Sequence, residues 1–302
     1  MARPDFFIIG APKCGTTALS EYLRQHPKIG FSTPKEPIYF ALDFPKARNF
    51  TEEGEYLGKC FGHCRGQGYL AIGEGSTAYF FSEYAVPNIL EFEPDAKIIV
   101  MLRNPVDMIH ALHGQKLLSL EDDVADFETA WALQEKRARG ESLPRFCLEP
   151  ALLQYARLGK LGSHLQRIFS QVPERQRKVL LFDDFQKDTR GVYLEVLEFL
   201  GVPPDDRVEF PRINESRKFL LHRLYEFSHR PPERLVKWAF LVRDALGIER
   251  LDILSRLQKW NVKPARRKPL SPDMRKTLVA EFSDDIDLLS ELLHLDLSHW
   301  KQ

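Results

Sequence analysis

The sequence contains no apolar run approaching the roughly 20 residues that a membrane-spanning helix requires. It also lacks an excess of either charge: 43 Lys and Arg balance 43 Asp and Glu, so overall charge gives no reason to expect a nucleic-acid partner. Cysteine is sparse. Cys14, Cys60, Cys64 and Cys147 are too few and too unevenly spaced to form a secreted disulfide framework. Cys60-Phe-Gly-His-Cys64 groups two thiols with an imidazole, but no second ligand pair follows at zinc-site spacing, so no metal site is expected. The start, Met1-Ala-Arg-Pro-Asp5, leads into a strand-like run without the apolar core and cleavage site of a signal peptide. A soluble, cytoplasmic protein is the expectation. Internal repeats and low-complexity tracts are missing too.

What is present is concentrated near the beginning. Four apolar residues, Phe6 to Ile9, stop at a Gly/Pro-rich turn, Gly10-Ala-Pro-Lys-Cys-Gly15. Thr16-Thr17 then open a segment with helical spacing at Leu19, Tyr22 and Leu23. A strand, a short loop and a helix N-terminus in that order form an anion cradle, because the first N–H groups of the helix have no internal partner and lie at its positive end. The loop resembles a P-loop but departs from it. Gly10 and Gly15 keep the spacing of Gly-x-x-x-x-Gly-Lys-Ser/Thr, yet Thr16 stands where the lysine belongs and the lysine sits earlier, at Lys13. That displacement argues against an ordinary magnesium-dependent NTPase.

Downstream, strand-like and helical patterns alternate, as in an α/β protein with a parallel sheet. Strands are expected at Tyr69–Gly73, Lys97–Leu102 and Lys178–Phe182. Helices are expected from Ser82 to Phe92, Asp126 to Arg139, Leu152 to Val172 and up to Leu200, with Gly201 as the terminating glycine. Ligands of open α/β sheets bind outside the carboxyl ends of the strands. The loops Gly10–Thr17, Gly73–Thr77 and Arg103–Pro105 share that rim. Asp183-Asp184 follows a strand and is read as a helix or loop cap rather than a magnesium carboxylate. From Arg217 to Lys268 there are 14 Arg and Lys against 5 Asp and Glu, interleaved with Leu, Trp and Phe. Such a segment either meets an anionic surface, as weak membrane contact, or packs as a helical cap with its bases in water; the cap is preferred.

Taken in order, Gly10-Ala-Pro-Lys-Cys-Gly-Thr-Thr17, Lys35-Glu-Pro-Ile-Tyr-Phe40, Gly73-Glu-Gly-Ser-Thr77 and Lys97-Ile-Ile-Val-Met-Leu-Arg-Asn-Pro-Val106 resemble the PAPS-dependent sulfotransferases, especially the heparan-sulfate-type and related bacterial branch. Phe182-Asp-Asp-Phe185, Glu198-Phe-Leu-Gly-Val202 and Asp296-Leu-Ser-His-Trp300 extend the agreement over nearly the whole chain, least between Phe219 and Pro264. The resemblance implies a single domain over 1–302: a three-layer, P-loop-like α/β fold with a central parallel sheet and a helical C-terminal cap that includes the basic 217–268 subregion.

It also implies roles for individual residues. Gly10, Ala11, Pro12, Lys13, Cys14, Gly15, Thr16 and Thr17 form the 5′-phosphosulfate loop, with Lys13 on the leaving group. Arg103 belongs to the 3′-phosphate site, and Arg217 and Lys218 lie in a later loop that closes over the nucleotide. Glu36 is the candidate general base. Lys35, Glu74 and Ser76, together with Thr77, are placed near the acceptor or cofactor. PAPS is then the co-substrate and PAP the product; the acceptor is a small molecule or glycan, and no metal is expected. The family's usual serine eight residues beyond the arginine is Ala111 here, with His110 or His113 as candidate substitutes. Two rivals stay open: a P-loop nucleotide kinase or NTPase, and a PAPS- or PAP-binding protein that has lost catalysis.

Overall fold

The computed structural model describes residues 2–211, 213, 217–219, 262–264 and 268–302, with 217–219 and 262–264 as backbone. The chain begins with strand β1 (Phe6–Gly10), helix α1 (Thr16–Arg24), β2 (Ile29–Phe31), α2 (Glu53–Phe61), β3 (Ala71–Gly75), α3 (Ala85–Phe92), β4 (Lys97–Leu102) and α4 (Pro105–Leu118). It continues through α5 (Phe127–Ala132), α6 (Gln134–Ala138), α7 (Tyr155–Gly159), α8 (Leu161–Gln171), β5 (Arg177–Leu181), α9 (Phe182–Lys187) and α10 (Thr189–Leu200). Beyond these lie β6 (Arg217–Phe219), β7 (Val262–Pro264) and the long α11 (Pro272–Leu293), then a 3₁₀ turn at Ser298–Lys301.

Five parallel strands form the central sheet in the order β2-β3-β1-β4-β5. β1 is buried at every position and β4 at all but its first, so helices cover both faces and the strands read as continuous apolar runs rather than alternating ones. The connections lead to one side of β1 for β2 and β3 and to the other for β4 and β5. Their switch point lies at the carboxyl ends of β1 and β4, where such sheets bind ligands.

α11 runs along α8 through a stripe at Met274, Leu278, Phe282, Ile286 and Leu289. Its Asp285 accepts the N–H groups of Gly162 and Ser163 at 2.6 and 2.9 Å, capping α8, whose own N-cap residue Lys160 provides no side-chain bond.

Several sequence expectations shift in detail. The third strand starts at Ala71 rather than Tyr69, and Ser82 caps from outside α3, accepting the Ala85 N–H at 3.0 Å. Each of the three longer predicted helices is divided. Asp126–Arg139 becomes α5 and α6, with Leu133 between them. Leu152–Val172 becomes a 3₁₀ turn, α7 and α8. The helix before Gly201 breaks at Asp188, whose carboxylate caps the new start through the Gly191 N–H. Gly201 ends α10 at φ +74°, as a terminating glycine does. Most of the basic 217–268 segment, including any membrane contact, lies outside the described residues.

Candidate active site

The loop between β1 and α1 is shaped by two glycines. A side chain at Gly10 (φ +138°) would put its Cβ 2.6 Å from Cβ of Phe80, and one at Gly15 (φ +88°) would lie 3.1 Å from the Phe182 and Phe185 rings. Only glycine lets the backbone pass through both places. At the outer turn Lys13 takes φ +62°, uncommon for a residue with a side chain. Gly15 is the N-cap of α1; it offers no capping side chain, and the first turn holds no acidic residue. The leading N–H groups and positive dipole end are thus left for an external anion.

Arg103 extends β4 into the same space. Its guanidinium lies 4.9 Å from the Phe182 ring centroid, and Nη1 makes a long 3.5 Å contact with the Lys13 carbonyl oxygen. One turn along α4, Asp107 lies 4.0 Å from Arg103 and 3.2 Å from Arg275 of α11. The next residue after Arg103 is also anchored. Asn104 Oδ1 accepts the Val106 N–H, capping α4, while its Nδ2 donates to the Trp300 carbonyl. Trp300 is buried and donates Nε1–H to Asp183 at 3.0 Å. Asp183 therefore acts as a tertiary tie at the start of α9, which has no side-chain cap, and corrects the capping expectation.

Glu36 stands at the edge of this space, its side chain one-third exposed. Thr77 Oγ1 donates to Oε2 at 3.0 Å and Lys35 Nζ to Oε1 at 2.8 Å, so both carboxylate oxygens are oriented. The backbone is held as well: the Glu36 N–H donates to the Gly75 carbonyl at 3.0 Å, and Asn49 Nδ2 donates to the Glu36 carbonyl at 2.8 Å. Glu36 has φ +64° and Ile38 φ +53°. Such conformations cost about 1–3 kcal/mol each and persist where surrounding contacts over-determine them.

Beneath Glu36 lies a second carboxylate. Glu74 is fully buried and accepts from the hydroxyls of Tyr56 and Ser76, the latter at 2.7 Å, with the Tyr79 hydroxyl close by. Burial pushes its carboxyl up to about 7, against the lowering effect of those hydrogen bonds, and the nearby Glu36 charge adds to the rise. Neither Glu74 nor Ser76 has accessible surface, so the expectation that they touch an acceptor is corrected: they support the rim from below.

Of the other loop residues, Gly15, Lys13 and Thr17 are partly accessible, whereas Ala11, Pro12, Cys14 and Thr16 are buried. The Ala11 N–H is given to the Met101 carbonyl and Pro12 has no N–H, which leaves the backbone N–H groups of Cys14 and Thr16. The Cys14 thiol donates to the Pro12 carbonyl at 3.3 Å, and burial pushes it up. Ala111 is buried on α4 and brings no hydroxyl. His113 is no substitute: it is buried, bonds the Val124 carbonyl at 2.8 Å, and burial lowers its basicity. His110 packs against Phe127 and, with His113, Leu117 and Lys268, lines a cavity of about 370 Å³ that includes neither Arg103 nor the 10–17 loop. The backbone of β6, carrying Arg217 and Lys218, pairs with β7 and lies beside α4; both side chains are outside the described residues.

Residues 3–223 match the family model described as a sulfotransferase domain. The chain belongs to the sulfotransferase family. The matched region contains β1 through β6, and hence every loop of the site. Among relatives of this sulfotransferase-family chain, human bifunctional heparan sulfate N-deacetylase/N-sulfotransferase 3 is 29% identical over 205 residues, 67% of this chain and 22% of that protein. Human carbohydrate sulfotransferase 15 is 27% identical over 277 residues, 76% of this chain and 48% of that protein. The chain thus spans less than half the length of either. A crystal structure of a sulfotransferase from Alicyclobacillus acidocaldarius superposes over 100% of both chains with a TM-score of 0.72 at 28% identity.

Sequence reasoning set the loops Gly10–Thr17, Gly73–Thr77 and Arg103–Pro105 on one rim, and they follow the adjacent parallel strands β1, β3 and β4; Glu36 joins them through its bonds to Thr77 and Gly75. It passed over Tyr56, Tyr79 and the Trp300–Asp183 tie. Tyr79 carried a faint signal, following Ser76-Thr77 directly after a strand. Tyr56 carried none, since it comes from a helix distant in the sequence.

Proposed function

We propose that the chain transfers a sulfuryl group from PAPS (3′-phosphoadenosine 5′-phosphosulfate) to a hydroxyl or amine of an acceptor, releasing PAP. One observation carries the reading: an uncapped helix N-terminus at Gly15, the Arg103 guanidinium and the doubly hydrogen-bonded Glu36 converge on one rim of the sheet. The residues fit the donor. The Gly10–Gly15 cradle, which a Cβ would obstruct, suits the 5′-phosphosulfate, and Arg103 suits a further phosphate through its forked donors. The names of the relatives, heparan sulfate and carbohydrate sulfotransferases, support a glycan or glycan-like acceptor for this chain.

In the proposed reaction the acceptor heteroatom forms a bond to sulfur as a Glu36 oxygen takes its proton. The bond from sulfur to the bridging phosphate oxygen breaks, and its electron pair stays on that oxygen. Lys13 and the first N–H groups of α1 stabilise the developing charge, as preorganised donors do in other group transfers. Thr77 and Lys35 keep the carboxylate aimed. No magnesium is assigned a part, because Thr16 stands where an NTPase loop carries its lysine.

The test is incubation with labelled PAPS and extracts of the source cells, followed by identification of the labelled product, beside calorimetric titration with PAP. Tight PAP binding that is weakened in Arg103→Ala, together with a labelled product whose formation falls in Lys13→Ala, supports the reading. Magnesium-dependent ATP turnover without PAP binding overturns it in favour of an NTPase. PAP binding with no labelled product from any acceptor pool points instead to a nucleotide-binding protein without catalysis.

A further inference from the structure

We infer that Glu74 is a positioning residue for Glu36: its carboxylate orients the hydroxyls of Ser76 and Tyr79 so that their lone pairs accept the backbone N–H groups of Ile38 and Phe40, and so holds the loop that presents the base. The inference rests on the proposed role of Glu36.

The argument is one of donor and acceptor bookkeeping. A hydroxyl has one proton, so one that donates to a carboxylate can only accept elsewhere. Ser76 Oγ donates to Glu74 at 2.7 Å and accepts the Ile38 N–H at 3.1 Å. The Tyr79 hydroxyl lies close enough to Glu74 for the carboxylate charge to raise it, and it accepts the Phe40 N–H at 3.2 Å. Tyr56 donates to the other Glu74 oxygen. The Tyr56 and Ser76 donors thus converge on the carboxylate with the Tyr79 hydroxyl beside them, and Ser76 and Tyr79 reach on to the loop. Glu36 itself is tied to the carbonyl of Gly75, the neighbour of Glu74. These bonds bracket the stretch in which Glu36 and Ile38 hold positive φ, so they supply the over-determination that such a backbone requires.

Protonation of Glu74 disturbs this arrangement. A neutral acid carries its own O–H, so a hydroxyl facing it must turn from donor to acceptor; where that hydroxyl is Ser76 or Tyr79, its lone pairs are shared with the acid and its hold on Ile38 or Phe40 weakens. The groups that face Glu74 are Tyr56 and Cys60 from α2, Ser76 and Tyr79 from the turn after β3, and Glu36 from the loop, itself held by Lys35 and Thr77. Burial raises both tyrosines, which remain neutral donors, and raises Glu74 to about 7. The loop is therefore held more firmly above neutral pH than below it.

Glu74→Gln tests the inference, with Tyr79→Phe and Ser76→Ala alongside should the amide variant fail to fold. Amide exchange at Ile38 and Phe40 reads the loop directly and needs no substrate. Exchange at both sites is expected to accelerate at least tenfold in Glu74→Gln, at Phe40 alone in Tyr79→Phe, and at Ile38 alone in Ser76→Ala. In sulfuryl transfer, kcat of Glu74→Gln falls tenfold to a hundredfold with PAP affinity within twofold of wild type. The acid limb of the kcat profile near pH 7 disappears, while Glu74→Asp restores part of the rate. Unchanged exchange at both amides in a folded Glu74→Gln protein overturns the inference. Wild-type protein that neither binds PAP nor transfers sulfuryl overturns the proposed function instead, and the exchange arm still decides whether Glu74 holds the loop.

Discussion

The Thr77 hydroxyl donates to Glu36 Oε2 at 3.0 Å across 41 residues of sequence, and it fixes one oxygen of the candidate base while Lys35 occupies the other. The arrangement distinguishes a carboxylate built into a site from one that decorates a loop.

Removing the base and removing its support should give graded effects. Glu36→Gln is expected to lower kcat by about 10²–10⁴-fold, the usual contribution of a positioned general base. A hydrogen bond to a charged group is worth about 1.5–3 kcal/mol, so Thr77→Val should cost about ten- to a hundredfold in kcat. PAP affinity, measured by calorimetry, should stay near wild type in both; a Glu36→Gln enzyme with unaltered turnover on its true acceptor rules out the base assignment.

Lys13 and Arg103 should separate by kinetic signature. Arg103 faces the loop through the Lys13 carbonyl and the Phe182 ring, so Arg103→Ala should weaken PAP binding at least tenfold. Lys13→Ala should depress single-turnover sulfuryl transfer more than it weakens PAP, because leaving-group charge grows only in the transition state. Equal losses of binding and rate in Lys13→Ala argue against a transition-state role.

Ala111 offers a gain-of-function test. Ala111→Ser adds a hydroxyl on α4, one helical turn beyond Asp107, on the side reached by Arg103. One added hydrogen bond to a phosphate, at about 1.5–3 kcal/mol, should tighten PAP binding about tenfold or more. No change in a titration locates the 3′-phosphate elsewhere along the rim.

Stability should depend on pH through Asp5 and Glu74. Burial raises Asp5 to about 6, although the Ile72 N–H and Lys97 oppose the rise, and raises Glu74 to about 7. In each case the folded protein retains a proton that the unfolded chain releases at lower pH. The stabilising contribution is therefore complete below the ordinary carboxyl range and is lost as pH climbs through the folded value. Thermal unfolding followed from pH 5 to 8 should show a downward contribution to Tm from both groups, and Asp5→Asn should flatten its lower part. An unchanged slope in that variant removes Asp5 from the account.

Much of the fold could be read from the sequence because its signals are local. Phe6–Ile9 and Ile98–Leu102 are apolar without alternation, as strands covered on both faces must be, and Gly10, Gly15 and Gly201 mark backbone turns that side chains resist. The divided helices were less legible. Continuous apolar spacing from Leu152 to Val172 does not reveal that Asp285, more than a hundred residues away, caps a new helix at Gly162. Nor does the Glu74-Gly-Ser76 motif state its own depth. A polar triplet after a strand suggests a rim, and only the packing of α2 against β3, with Tyr56 over Glu74, turns it into a buried support.

The sequence by itself determined the phosphate-sized loop, the displaced lysine at Lys13 and the strands β1, β3, β4 and β5, since each depends on backbone preference and spacing along a few neighbouring residues; β2 and α2 were not among its expectations. The tertiary structure decided what those residues face. It brought Arg103 to the Lys13 carbonyl, set Thr77 against Glu36, tied Trp300 to Asp183 and enclosed Glu74 among three hydroxyls. The physical reason is that hydrogen-bond partners and burial come from segments distant in the chain, and burial is what changes a carboxylate's chemistry.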